Sequence, residues 1–149
     1  MKVFAKREPW YAAGLAFECR QCGNCCSGPD EGFVWVDDAE IRAIAEHLRL
    51  SEDDVCDRYV RRVMRRRSLV ENPSTKDCVF LRRDGDGRCG CAIYPVRPVQ
   101  CRTWPFWPVN LKSPDTWARA ALRCPGINRG DRIDHDTIRA RREQTRRHA

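Results

Sequence analysis

Cys19-Arg20-Gln21-Cys22-Gly23-Asn24-Cys25-Cys26 places four cysteines in eight residues, and the rest of the chain reads outward from it. A Cys-x2-Cys spacing lets two thiolates reach one ion from a tight turn. Cys19, Cys22 and Cys25 extend that spacing to three, as at the front of the bacterial ferredoxin run C-x2-C-x2-C-x3-C-P. The fourth ferredoxin cysteine is missing from its place. Cys26 follows at once, and a Cys-Pro pair comes only at Cys124-Pro125, a candidate for the missing ligand. Side chains of adjacent residues diverge, so Cys25 and Cys26 rarely hold one ion together. They face two sites, bridge a multinuclear cluster, or divide into a ligand and an outer thiol. Zinc with four thiolates is a tetrahedral, redox-silent alternative. A zinc ribbon needs a second Cys-x2-Cys pair, which the chain lacks, and the triple spacing favours iron–sulfur over mononuclear zinc.

Six further cysteines (Cys56, Cys78, Cys89, Cys91, Cys101 and Cys124) bring the total to ten in 149 residues. That length predicts a single domain over 1–149, with a core of about 17–126 and a basic C-terminal tail of about 134–149. A domain of this size buries roughly 70% of the surface its unfolded chain exposes, so the cysteines are not needed as staples. Disulfides also require an oxidising compartment. The apolar stretch from Trp10 to Phe17 is short for a signal peptide and has no small-x-small cleavage site after it. Glu18 stands where a lipoprotein needs a small residue before Cys19, and nothing approaches the ~20 apolar residues of a membrane span. A cytoplasmic protein with reduced, metal-binding thiols is the expectation. The net charge of +7 comes from 24 arginines and 4 lysines against 21 acidic residues. Such a balance suits nucleic acid or solvated helix faces; the interspersed acids and the lack of a recognition motif favour the second, so no nucleic-acid or membrane partner is expected.

Hydrophobic periodicity and capping residues predict a small α+β fold, irregular around the metal, with two helices against a short antiparallel hairpin. Residues 19–32 read as loop, and Phe33–Val36 as a short strand. Asp37 with Glu40 reads as a capping box opening a helix whose buried face is Ile41, Ile44, Ala45 and Leu48. Ser51 caps a second helix with the stripe Val55, Cys56, Tyr59, Val60, Val63 and Met64; Cys56 on that stripe reads as a packing thiol. Residues 68–76 read as loop around Pro73. Cys78–Leu81 and Cys91–Tyr94 read as the strands of a hairpin about the Asp84–Gly87 turn. Prolines 95, 98, 105, 108 and 114 argue against long regular structure. A last helix begins at Asp134 or Asp136, with little apolar surface beyond Ile138, so fraying is expected. The three histidines (His47, His135 and His148) read as solvent-facing rather than as ligands.

Arg97 and Arg102 bracket Cys101. Guanidinium suits the negative charge that thiolates and sulfides accumulate; the alternative is an arginine stacked on Trp104 or Tyr94. The Trp104–Pro108 segment reads as core packing, or as a lid excluding water from a cluster.

Phe17-x-Cys19-x2-Cys22-Gly23-x-Cys25-Cys26, Cys78-Val79-Phe80-Leu81 and Cys91-x-Ile93-Tyr94-x2-Arg97-Pro98-x2-Cys101-Arg102-x-Trp104-Pro105-Phe106 together resemble the YkgJ-type cysteine cluster proteins, the CxxCxxCC family of zinc- or iron-chelating domains. The resemblance runs from about Phe17 to Cys124. It implies a metal-binding domain with eight motif cysteines: Cys19, Cys22, Cys25, Cys26, Cys78, Cys91, Cys101 and Cys124. Cys56 and Cys89 fall outside the motif, Cys89 as a spare ligand or a bystander. Flagellin lysine N-methylases carry a similar module, so an enzyme using its cluster for group or electron transfer is the alternative to a metal-binding protein with a protein partner. A zinc-stabilised nucleic-acid binder is the third reading. No glycine-rich cofactor loop, Ser/His/Asp set or radical-SAM Cys-x3-Cys-x2-Cys is present to name a reaction.

Overall fold

Asp37 and Glu40 form the capping box that their spacing predicts. In the computed structural model, which describes residues 7–28 and 31–148, the Asp37 carboxylate accepts from the Glu40 amide at 2.8 Å, and the Glu40 carboxylate accepts from the Asp37 amide at 3.1 Å. The basic residues Lys2 and Lys6 lie outside the described residues. The capped helix, α1 (Asp38–Leu48), buries Ile41, Ile44 and Ala45 and ends on Arg49 in the left-handed region, φ 58°. Asp37→Ala is expected to remove about 1 kcal/mol of stability, the usual worth of such a cap. The check is a lower urea midpoint at unchanged slope; an unchanged midpoint would show that tertiary packing alone holds α1.

Ser51 Oγ accepts the Asp54 amide at 3.0 Å and opens α2 (Glu52–Tyr59). The predicted apolar stripe does not continue as helix. At Val60 the backbone turns extended, φ −122° and ψ 136°. There β2 (Val60–Val63) pairs antiparallel with β3 (Arg66–Leu69). Branched Val60 and Val63 suit a strand. Met64 sits in the hairpin turn, 91% exposed. Residues 68 and 69 therefore end a strand instead of starting a loop. The predicted strand at 33–36 is reduced to one bridge, Trp35 to Ser68, alongside β3.

The Asp84–Gly87 turn forms, but its hairpin lies closer to the turn than predicted. The Asp84 amide donates to the Arg88 carbonyl at 2.8 Å. This sets β4 (Leu81–Arg83) against β5 (Cys89–Cys91), with Arg83 opposite Cys89 and Leu81 opposite Cys91. Cys78 makes an isolated bridge to Glu71. A single turn of 3-10 helix at Tyr94–Val96 leads to the short α3 (Val99–Thr103).

Further elements go beyond the sequence reading. The proline-rich segment still contains α4 (Pro114–Arg123). Pro114 stands in its first turn, where the missing amide costs nothing, and Ser113 and Thr116 close a second capping box. Strands β1 (Leu15–Phe17) and β6 (Ile127–Ile133) pair antiparallel. The final helix, α5 (His135–His148), starts where expected, with the Asp134 carboxylate accepting the Thr137 amide at 3.3 Å. It packs on α3: Ile138 is fully buried, and the Thr145 hydroxyl bonds that of Thr103.

The result is a small mixed α+β fold with separate two-stranded antiparallel pairs and two apolar clusters. One joins Tyr11, Phe106, Leu111, Trp117, Cys124, Ile127 and Ile138. The other lies under α1 and α2 and includes Ile44, Val55, Leu69, Phe80 and Ile93, with Cys78 and Cys91 packed against it.

Candidate metal centre

Gly23 lets the cysteine loop turn. Its φ of 76° suits glycine, and a side chain there would meet Cys89 Cβ and Sγ at 2.8 Å. One turn of 3-10 helix, Asn24–Cys26, follows it. The loop is pinned to both sides of the fold by hydrogen bonds. Towards the hairpin, the Cys26 carbonyl accepts the Cys78 amide at 2.7 Å, and the Gln21 carbonyl accepts the Cys89 amide at 2.8 Å. Towards α4 and β6, the Glu18 amide donates to the Gly126 carbonyl at 3.0 Å. Arg123 donates to the carbonyls of Asn24 at 3.1 Å and Ser27 at 2.7 Å, and the Asn24 amide side chain donates back to the Arg123 carbonyl at 2.8 Å.

Two cavities flank the loop. The larger, about 120 Å³, is bordered by Cys19, Cys25, Cys26, Cys78, Cys91 and Cys101, and by Cys89. The smaller, about 40 Å³, is bordered by Cys19, Cys22, Cys25 and Cys124. All eight motif cysteines thus border one cavity or both, and Cys56 borders neither. No three His, Cys, Asp or Glu side chains among the described residues close on a single point as a ready ion site; the thiols border a space. All ten cysteines are free of disulfides.

The thiols around the larger cavity influence one another. Cys25 and Cys26 sulfurs lie 3.8 Å apart, and this contact, then burial, raises the Cys25 pKa far above the usual thiol range. Burial, followed by the neighbouring Cys78, Cys25 and Cys91, pushes Cys101 up strongly. Burial takes Cys78 to about 11, with Cys91 and Cys25 adding to the rise, and burial raises Cys91 as well. The Arg97 guanidinium opposes the rise at Cys25, Cys91 and Cys101. Clustered anions repel and desolvation penalises each one. This donor set is therefore stable as neutral thiols, or as thiolates around a cation, and fits a soft metal group.

Of the two arginines singled out, Arg97 borders the larger cavity and also stacks on Tyr94, its guanidinium carbon 3.9 Å from the ring centroid. Arg102 is exposed and borders neither cavity. The Trp104–Pro108 segment divides: Trp104 and Trp107 border the larger cavity, while Pro105 and Phe106 are fully buried. The Trp104 Nε1–H is buried with no hydrogen-bond partner among the described residues. His47 is exposed, near the Ala92 carbonyl at 3.2 Å. His135 is half-buried and stacks on Tyr11 rather than facing solvent. Arg83 and Arg123 escaped the sequence reading. Arg83 donates to Cys89 Sγ at 3.7 Å and to Ser27 Oγ and Asp77 Oδ2 at 3.2 Å. Arg123 carries no local signal, since its partners Asn24 and Ser27 lie 99 and 96 positions away, whereas two of Arg83's partners, Asp77 and Cys89, lie six residues to either side.

Gly126 is buried, and a methyl group in its place would overlap the Glu18 carbonyl oxygen. Gly126→Ala is expected to push residues 18–19 off the segment carrying Cys124, at a cost of about 1–3 kcal/mol, as overpacking does. Thermal melting checks this; a melting point equal to that of the parent chain would show that the contact does not position the loop.

Residues 18–128 match the family model CxxCxxCC, described as "Putative zinc- or iron-chelating domain". Among curated proteins, the uncharacterized protein MJ0661 of Methanocaldococcus jannaschii is 33% identical over 96 residues, covering 64% of this chain and 48% of the relative. The chain spans about half the length of that relative. No solved structure matches. Among the described residues, no helix is long and apolar enough to cross a membrane.

Proposed function

The chain belongs to the CxxCxxCC family of zinc- or iron-chelating domains, and on that footing we propose that it binds an iron–sulfur cluster in the larger cavity. One observation carries the reading: Cys25, Cys78, Cys91 and Cys101, from four separate stretches of chain, border one cavity. These four are the proposed ligands. A space of about 120 Å³ supports a polynuclear group over a lone zinc, whose thiolates close in to about 2.3 Å from the ion. Cys26 is an outer thiol against Cys25, and Arg97 offsets part of the anionic charge. Phe80, Ile93 and Trp107 wall the cavity with apolar surface and limit water access, a determinant of cluster potential. When bound, the group supplies one-electron transfer and ties four distant segments together. Binding is then coupled to folding.

The test is iron, zinc and acid-labile sulfide per chain, with a visible spectrum, on protein purified without oxygen. Iron and sulfide in comparable amounts, with a broad visible band that dithionite bleaches, is the expected result. A colourless protein with stoichiometric zinc would overturn the cluster while leaving a thiolate metal site in place.

A further inference from the structure

We infer that the arginine-rich hairpin β2–β3, with the aromatic pair beside it, is the docking face for an acidic protein partner. The inference goes beyond metal binding and does not depend on which metal the thiols hold. Six arginines fall between residues 58 and 67, with no acidic residue or lysine among them. Strand β3 has β2 on one side and residues 34–36 on the other: the Leu69 amide donates to the Val34 carbonyl at 2.9 Å, and the Val36 amide to that of Arg67 at 3.0 Å. Alternation along these strands separates two faces. Val34 and Leu69 lie on the inner face, where they border the larger cavity. Trp35 and Arg61 both pair with Ser68, which puts them, with Phe33 and Arg66, on the outer face. The docking face is thus the back of the cavity wall.

The outer face is organised around two rings. Phe33 and Trp35 stack at 5.2 Å with their planes 7° apart. The Arg61 guanidinium lies over Phe33 at 5.0 Å, and that of Arg66 over Trp35 at 4.1 Å. Two of the cations are balanced within the chain, Arg61 by Glu31 and Glu71 and Arg67 by Asp38. Arg62 and Arg65 are exposed and have no ion pair among the described residues. They stand on either side of Met64, which is almost fully exposed. Guanidinium groups already held on rings have less freedom to lose on binding, and Arg, Met and aromatic side chains are the types enriched at protein interfaces. A phosphate backbone would use the cations but not Met64. A nucleic-acid single strand needs open ring faces, and these two rings turn theirs to each other and to guanidinium groups. The complementary surface is therefore a protein's: carboxylates that pair with Arg62 and Arg65, around an apolar side chain that packs on Met64 and on exposed Phe33.

The test is fluorescence anisotropy of two labelled acidic polypeptides, polyglutamate and a glutamate–tyrosine copolymer of equal charge, titrated with the full chain purified without oxygen. Both are expected to bind, the copolymer more tightly, with affinity falling as salt rises. Arg62→Glu/Arg65→Glu is expected to weaken copolymer binding about 10-fold or more, since the reversed charges repel the partner's carboxylates. Arg139→Glu/Arg146→Glu makes the same change of charge at exposed positions of α5 and is expected to leave binding close to wild type. All four positions are exposed, so both variants are expected to fold. Equal weakening by the two variants would overturn the inference, because binding would then follow net charge alone. So would a copolymer that binds no more tightly than polyglutamate. A DNA duplex of matched charge that binds more tightly than the copolymer, and loses that binding in Arg62→Glu/Arg65→Glu, would overturn it by making nucleic acid the occupant.

Discussion

Cys101→Ser is expected to leave the chain with little metal and little stability, while Cys56→Ser leaves its metal content intact. Cys101 lies in α3 beside the larger cavity, and burial, followed by the neighbouring Cys78, Cys25 and Cys91, pushes its thiol pKa up. A serine hydroxyl stays protonated at neutral pH and is a poor partner for soft metals. Structural metal sites contribute about 10–16 kcal/mol of apparent binding free energy. A domain's whole margin is only about 5–15 kcal/mol, so losing the centre removes a quantity comparable to the entire stability. Cys56 is half-buried against the α1–α2 cluster and borders neither cavity. Metal per chain and urea unfolding, both without oxygen, separate the two variants. Full metal and a wild-type midpoint in Cys101→Ser would remove Cys101 from the ligand set.

Phe106→Ala is expected to cost about 3–5 kcal/mol, as truncation of a buried aromatic does, with every thiol intact. Phe106 is fully buried. Its ring stacks on Trp117 at 5.7 Å and meets Phe17 edge-on at 6.1 Å. The same cluster contains Cys124 and Ile127, so the void left by the ring loosens the packing around Cys124. A urea midpoint lowered by that amount is the expected reading. A midpoint within error of wild type would mean that this cluster adds little to the fold.

The two fates of the predicted helices show what a sequence carries locally. Asp37 and Glu40, or Ser51 and Asp54, meet within one turn, so spacing alone reveals them. Val60 and Val63 continue the same apolar spacing, yet they pair with β3 because a branched run suits both periodicities and the partner strand decides. Strand β6 exposes residues 128–132 in succession, so no alternation marks it. Helix α4 hides among prolines because Pro114 falls at a first turn, the one helical place that tolerates it.

The site divides in the same way. The eight candidate cysteines follow from motif resemblance, and every one of them borders a cavity. Which cysteine faces which cavity depends on Gly23, on the carbonyls of Gln21 and Cys26, and on Arg123. These contacts join distant segments, so no spacing announces them. Arg102, adjacent to Cys101 in sequence, points to neither cavity wall, while Arg123, adjacent to Cys124, holds the loop itself.

X-ray absorption at the metal edge, on protein purified without oxygen, reads the ligand atoms themselves. Sulfur at about 2.3 Å is expected to dominate the coordination sphere. A shell of nitrogen and oxygen, or a folded protein holding no stoichiometric metal, would contradict it.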